Sequence, residues 1–144
     1  MGQNATQTRL KRLVVVLDPS SPEGDTTAQL ASALVGEEGE LQLAVLLSGP
    51  EALSLHDYAE SEGVSIKEAA GIYLAQVSER LDRNGLTSTL IDGTDLAADL
   101  IDAVEHAGAQ GVVAPAELAA RTMATKRRWA ALPFPVVVVP ARAA

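Results

Sequence analysis

Leu13-Val14-Val15-Val16-Leu17, followed by Asp18-Pro19, decides how this chain folds. Five consecutive apolar residues, three of them β-branched, run into the turn-rich segment Asp18-Pro19-Ser20-Ser21-Pro22-Glu23-Gly24. A continuous apolar run of this length, bounded by turn formers, reads as a strand buried on both faces rather than one with a wet side. Such a strand belongs in the middle of a parallel sheet, and a parallel sheet needs a crossover segment after each strand.

The rest of the chain supplies those crossovers. Asp25 offers a helix cap, and Ala28, Leu30, Ala31, Leu34 and Val35 form the apolar side of a helix that stops near Gly36 and Gly39. A second strand spans Leu41 to Leu47 and is broken by Gly49-Pro50. Residues 51–64 carry Leu53, Leu55 and Tyr58 at irregular spacing, which predicts a loop with room for a short helix. Ser65 with Glu68 is a capping-box pattern, and Ile66, Ala70, Tyr73, Leu74, Val77 and Leu81 then repeat at helical spacing up to Asn84-Gly85.

A third strand, Leu86 to Ile91, ends at Asp92-Gly93, after which Thr94 or Asp95 caps a helix with Ala97, Leu100, Ile101, Val104 and Ala107 on its core side and Gly108 as its stop. Gly111 to Ala114 is the fourth strand, and Pro115 stands where a proline favours the start of a helix, expected over Ala116 to Ala131. The chain closes on a fifth strand within Phe134-Pro135-Val136-Val137-Val138-Val139-Pro140. Strict alternation with right-handed crossovers predicts a three-layer α/β/α sandwich around a five-stranded parallel sheet. It is expected to form a single domain over residues 9–144, after a flexible tail at residues 1–8.

Composition restricts the chemistry. Eleven Lys and Arg against nineteen Asp and Glu leave a net charge of -8, which repels polyanions, so nucleic acid is not an expected partner. The longest apolar runs are far shorter than a membrane span or a secretory core, so no membrane association is expected and the cytoplasm is the expected location. There is no cysteine, which removes disulfides and thiolate chemistry. The two histidines, His56 beside Asp57 and His106 beside Glu105, form no metal-binding spacing and accompany no nucleophile pattern. No catalytic residue, no metal site and no enzymatic activity are expected. Lys126, Arg127 and Arg128 suit the negative end of a helix, and Trp129 is expected to pack under the last strand or to join an interface.

The order of these elements, Asp18-Pro19-Ser20, the segment Gly93-Thr94-Asp95-Leu96-Ala97-Ala98-Asp99-Leu100-Ile101, the strand entry Ala109-Gln110-Gly111-Val112-Val113 and the closing Phe134-Pro135-Val136-Val137-Val138-Val139 together resemble a universal stress protein, from about Arg9 to Arg142. The resemblance implies the adenine nucleotide alpha hydrolase-like fold with strand order 3-2-1-4-5 and a ligand crevice at the switch point between the first and fourth strands. Many members of that family bind ATP there, through an aspartate after strand one, the backbone of strand two and a stretch G-x2-G-x9-G-S/T after strand four. Asp18 matches the aspartate and Val45 stands on strand two, whereas the glycine pattern falls on Pro115, Leu118, Thr122 and Met123.

Pro115 has no N–H to offer a phosphate, Leu118 adds bulk and Glu117 adds negative charge. The chain therefore most resembles the branch that does not hold ATP, and no cofactor is expected. The family also implies homodimers. Four valines on an edge strand favour pairing of two copies through Phe134, Val136, Val137, Val138 and Val139. The reading that follows is a non-enzymatic regulatory or interaction module of the stress response, able to hold a further protein partner. The alternative is an ATP or AMP sensor with a reduced pocket around Asp18, Val45, Pro115 and Thr122.

Overall fold

The computed structural model describes residues 10–19, 24–92, 95–116, 118 and 131–139. Along the chain these form β1 (Arg12–Leu17), α1 (Gly24–Val35), β2 (Glu40–Leu46), a 3-10 turn (Pro50–Ala52), α2 (Leu53–Glu62), α3 (Ile66–Leu81), β3 (Leu86–Ile91), α4 (Leu96–Ala107), β4 (Gly111–Pro115) and β5 (Val136–Val139). The strands make one sheet in the order β3-β2-β1-β4-β5, every pair parallel. The expected architecture is the one observed.

β1 is the centre of the molecule. All five residues from Leu13 to Leu17 are buried, and their side chains alternate between two separate cores. On one face Leu13, Val15 and Leu17 join Leu41, Leu43 and Val45 of β2 beneath α1, α2 and α3. On the other, Val14 and Val16 join Ala44, Leu46, Val112 and Ala114 against Leu100 and Val104 of α4. Two crossovers in succession, β1 to β2 and β2 to β3, place their helices on the same side, while the return from β3 to β4 must cross to the other.

Local chemistry accounts for the helix ends. The Ser65 hydroxyl accepts from the Glu68 N–H at 3.0 Å while the Glu68 carboxylate accepts from the Ser65 N–H at 3.4 Å, completing the predicted capping box. Asp95 rather than Thr94 caps α4, accepting from the Ala98 N–H at 3.3 Å, and Gly108 closes it in the left-handed conformation. α1 begins at Gly24, so Asp25 stands within the first turn and not at the cap.

One expectation is filled in and two are corrected. The short helix for which residues 51–64 left room is the ten-residue α2, which follows the 3-10 turn and takes up most of the segment; its buried stripe is only Leu55 and Ala59, too narrow to give a regular period. α3 ends at Leu81, with Asp82 taking the left-handed cap position at φ 45° before Asn84-Gly85 is reached. Pro115 does not open a helix but is the last residue of β4, paired with Val139. The ladder from β4 to β1 has by then ended at Val113, so the missing proline N–H removes no bond between those strands. Ala116 and Leu118 are helical and Ala131 stands in a turn, while the remainder of the expected last helix, with Thr122, Lys126, Arg127, Arg128 and Trp129, lies outside the described residues.

One side chain ties the first crossover to the third strand. α1 has no basic residue in its last turn, yet its terminal carbonyls are met by Arg83, from the loop before β3. The guanidinium donates to Ser32 O at 3.2 Å, Ser32 Oγ at 2.8 Å, Gly36 O at 2.7 Å and Gly39 O at 2.6 Å. A planar fork satisfies these acceptors together, which a single ammonium does not. Arg83→Ala is expected to lower unfolding free energy by about 1.5–3 kcal/mol, the range for hydrogen bonds to a charged group. Arg83→Lys should recover less than half of that loss in urea titrations with an unchanged m-value.

Candidate functional site

In an open parallel sheet the ligand crevice lies beyond the carboxyl ends of the strands, where the connections leave toward opposite faces. Here that point is between β1 and β4. Their pairing stops at Val15–Val113, although both strands continue, to Leu17 and to Pro115, so the two chains part as they reach the end of the sheet.

Asp18 follows directly on β1 at this opening. It is 2% exposed and has polar partners of its own. A carboxylate buried this far must be satisfied locally, by protein or by a bound group. Thr27 on α1 is also buried.

The exit of β2 is already in use. Val45 is fully buried in the core beneath α1, and its neighbours in the sheet are Leu17 and Leu90, so its side chain is not offered to the crevice. Beyond it, the Leu47 N–H donates to Ile91 O, the Leu47 carbonyl holds a ring nitrogen of His56 at 2.9 Å, and the Ser48 hydroxyl donates to Asp92 O. Gly49 then turns the chain at φ 86° and ψ 179°, a conformation essentially confined to glycine, into the 3-10 turn.

The end of β4 is closed in a different way. Pro115 is buried, Ala116 already has helical geometry, and the side chain of Leu118, 4% exposed, sits in the core with Val16, Ala44 and Ala114. Structure thus brings Asp18, the β2 exit and Pro115 to one end of the sheet, while Thr122 lies outside the described residues. The sequence reading missed the role of His56, whose ring pins the β2 exit from α2. His106 bonds the Asp102 carbonyl of its own helix at 3.0 Å, on the other face of the sheet, so the two histidines do not form one site. Among the described residues no group of three or more His, Asp or Glu side chains is placed to hold a metal ion. None of the described helices is long and apolar enough to cross a membrane.

At the far edge, the Val112 N–H donates to Pro135 O. This sets the parity of β5: Val137 and Val139 direct their backbone groups to β4, whereas Val136 and Val138 direct theirs outward. Phe134, Val136 and Val137 are half-buried, Val139 is buried, and Val138 is 43% exposed.

No known family's sequence profile matches this chain, and no curated protein matches it in sequence. Solved structures match its fold. Hypothetical protein MJ0577, whose structure was used to assign its biochemical function, superimposes with a TM-score of 0.64 at 13% identity, covering 95% of this chain and 100% of that one. Hypothetical protein PH0823 gives 0.62 at 14% identity over 90% of this chain and 96% of its own. A universal stress protein solved in complex with cAMP gives 0.59 at 15% identity over 92% and 98%. The chain therefore has the universal-stress-protein fold, the α/β architecture of the adenine nucleotide alpha hydrolase-like group.

Because a side chain at Gly49 would be strained whatever space surrounds it, Gly49→Ala is expected to cost about 1–3 kcal/mol of stability. The local loss should appear as faster amide exchange in α2, whose His56 grips the same turn; exchange unchanged there would show that the turn tolerates another conformation.

Proposed function

We propose that this chain is a member of the universal stress protein family from a branch that does not hold ATP in the usual family manner, and that it acts without catalysis, as a homodimeric regulatory or interaction module of the cytoplasm. The observation that carries the reading is the passage from β4 into helix. A triphosphate cradle needs several free N–H groups and residues small enough for close approach. At that position this chain has a buried proline, helical geometry at Ala116 and a leucine, Leu118, packed into the core. Glu117 and a net charge of -8 further oppose a polyanion. The absence of catalysis is supported by the separation of His56 and His106 on opposite faces, each engaged with a main-chain carbonyl.

ATP at a hundredfold excess over its Kd stabilises a protein by about 2.7 kcal/mol. Millimolar ATP is expected to leave the melting temperature unchanged, and a rise of several degrees would overturn this reading. A second reading, a nucleotide sensor with a reduced pocket, is favoured by the deep burial of Asp18 at the strand divergence and by the cAMP held in a protein of the same fold. A single phosphate makes less demand on the β4 exit than three. Stabilisation by AMP or cAMP that is lost in Asp18→Asn would select that reading.

The dimer is supported by the outward backbone groups of Val136 and Val138 at the edge of the sheet. Antiparallel pairing of two copies would satisfy them and cover Phe134 and the valine strip. Val138→Lys, at an exposed position, is expected to fold and to run as a monomer in light scattering. A dimer mass unaffected by the substitution would contradict pairing through β5.

A further inference from the structure

The opposite edge of the sheet carries a second, independent surface. Leu41 N–H donates to Gly85 O and Leu47 N–H donates to Ile91 O, so Thr87 and Thr89 share the inward parity and the backbone groups of Leu86, Ser88 and Leu90 point away from β2. Among the described residues no strand pairs with that side. β3 has none of the usual guards of an edge: Leu86-Thr87-Ser88-Thr89-Leu90-Ile91 contains no lysine, no proline and no charge, and Leu90 is 37% exposed.

Beside this edge α4 lies over β1 and β4, and although Ala44, Leu46 and Ile91 are buried against it, the earlier part of the β2–β3 strip is only partly covered, with Gln42 and Thr89 half-buried and Thr87 exposed. The strip is polar, with Gln42 paired to Thr87 and with Thr89 next on the same face. A groove of about 370 Å³ runs there, walled by Gln42, Thr89, Asp92, Asp99, Asp102 and His106. Asp99 and Asp102 are three residues apart and so lie on one side of α4. The lining holds three carboxylates and no Lys or Arg, and the buried side-chain oxygen of Gln42 has no hydrogen-bond partner. Nδ1 of His106 donates to the Asp102 carbonyl, which holds the ring against α4 at the side of the groove. An open donor-acceptor edge thus adjoins a groove of acceptors with negative charge.

We propose that β3 is a docking edge for an extended, basic segment of a partner protein, which adds to the sheet as a sixth strand and lowers a lysine or arginine into the groove beside Asp102. Main-chain bonds to Leu86, Ser88 and Leu90 supply the affinity, and the acidic groove selects the charge. A second copy of this chain does not fit, because its own β3 brings no basic residue and its groove brings the same negative sign.

A short fluorescein-labelled peptide of alternating threonine and valine with a central lysine serves as probe in fluorescence polarisation. Saturable binding is expected, weakened at least about tenfold when the lysine is replaced by glutamate and about threefold in Asp102→Asn, with both effects shrinking at high salt. Ser88→Pro removes an outward N–H without touching the ladder to β2, and should abolish binding while circular dichroism stays unchanged. N-methylating alternate peptide bonds of the probe should abolish binding to the unaltered protein, a control free of any folding defect. No saturable binding, equal binding of the glutamate peptide, full binding of the N-methylated peptide, or a dimer that Ser88→Pro dissociates would each overturn the proposal.

Discussion

Everything in this molecule hangs on the burial of β1 from both sides. Leu13 to Leu17 contribute to two cores at once, and removing each such side chain from water stabilises the fold by roughly 1.5–3 kcal/mol. A strand of this kind cannot serve at an edge, so β2 and β4 must flank it, and the chain must leave it on one face and return on the other. The divergence of β1 and β4 beyond Val15 and Val113 is the geometric result. Asp18 is delivered to that divergence because it is the first residue past the apolar run.

The crevice is walled by the exits of β2 and β4. β2 leaves with its main chain committed to Ile91 and His56, and the side chain of Ser48 committed to Asp92. β4 leaves through a proline into helix, with Leu118 folded inward. Each of these exits has contacts of its own within the protein, whereas a glycine cradle offers its N–H groups to a ligand. Outward main-chain groups stand at both sheet edges, one apolar at Val136 and Val138, one polar at Ser88 with an acidic groove beside it.

The strands and the main helix ends were legible because short apolar runs alternate with helical patterns and because Ser65 and Gly108 announce helix ends chemically, whereas the strand order was available only through the resemblance to universal stress proteins, and the α4 cap was narrowed to Thr94 or Asp95. The extent of α2 was not legible, since its two buried residues, Leu55 and Ala59, mark only one turn and Leu53 faces water. Its left-handed cap at Gly63 was the signal available. Pro115 was misread because proline suits both a helix start and a strand end whose inner ladder has finished, and only the register separates them. Asp18 was legible as a candidate, but not its depth of burial. Nor could sequence place the β3 groove, whose walls come from β2, β3 and α4 and meet only after the sheet has formed.

Native mass spectrometry of the protein purified from cells tests the central claim most directly, because it weighs the intact assembly with whatever occupies the crevice. The account predicts the mass of two bare chains. A species heavier by one adenine nucleotide triphosphate per chain would contradict it, and would mean that the proline exit of β4 opens to admit phosphates after all.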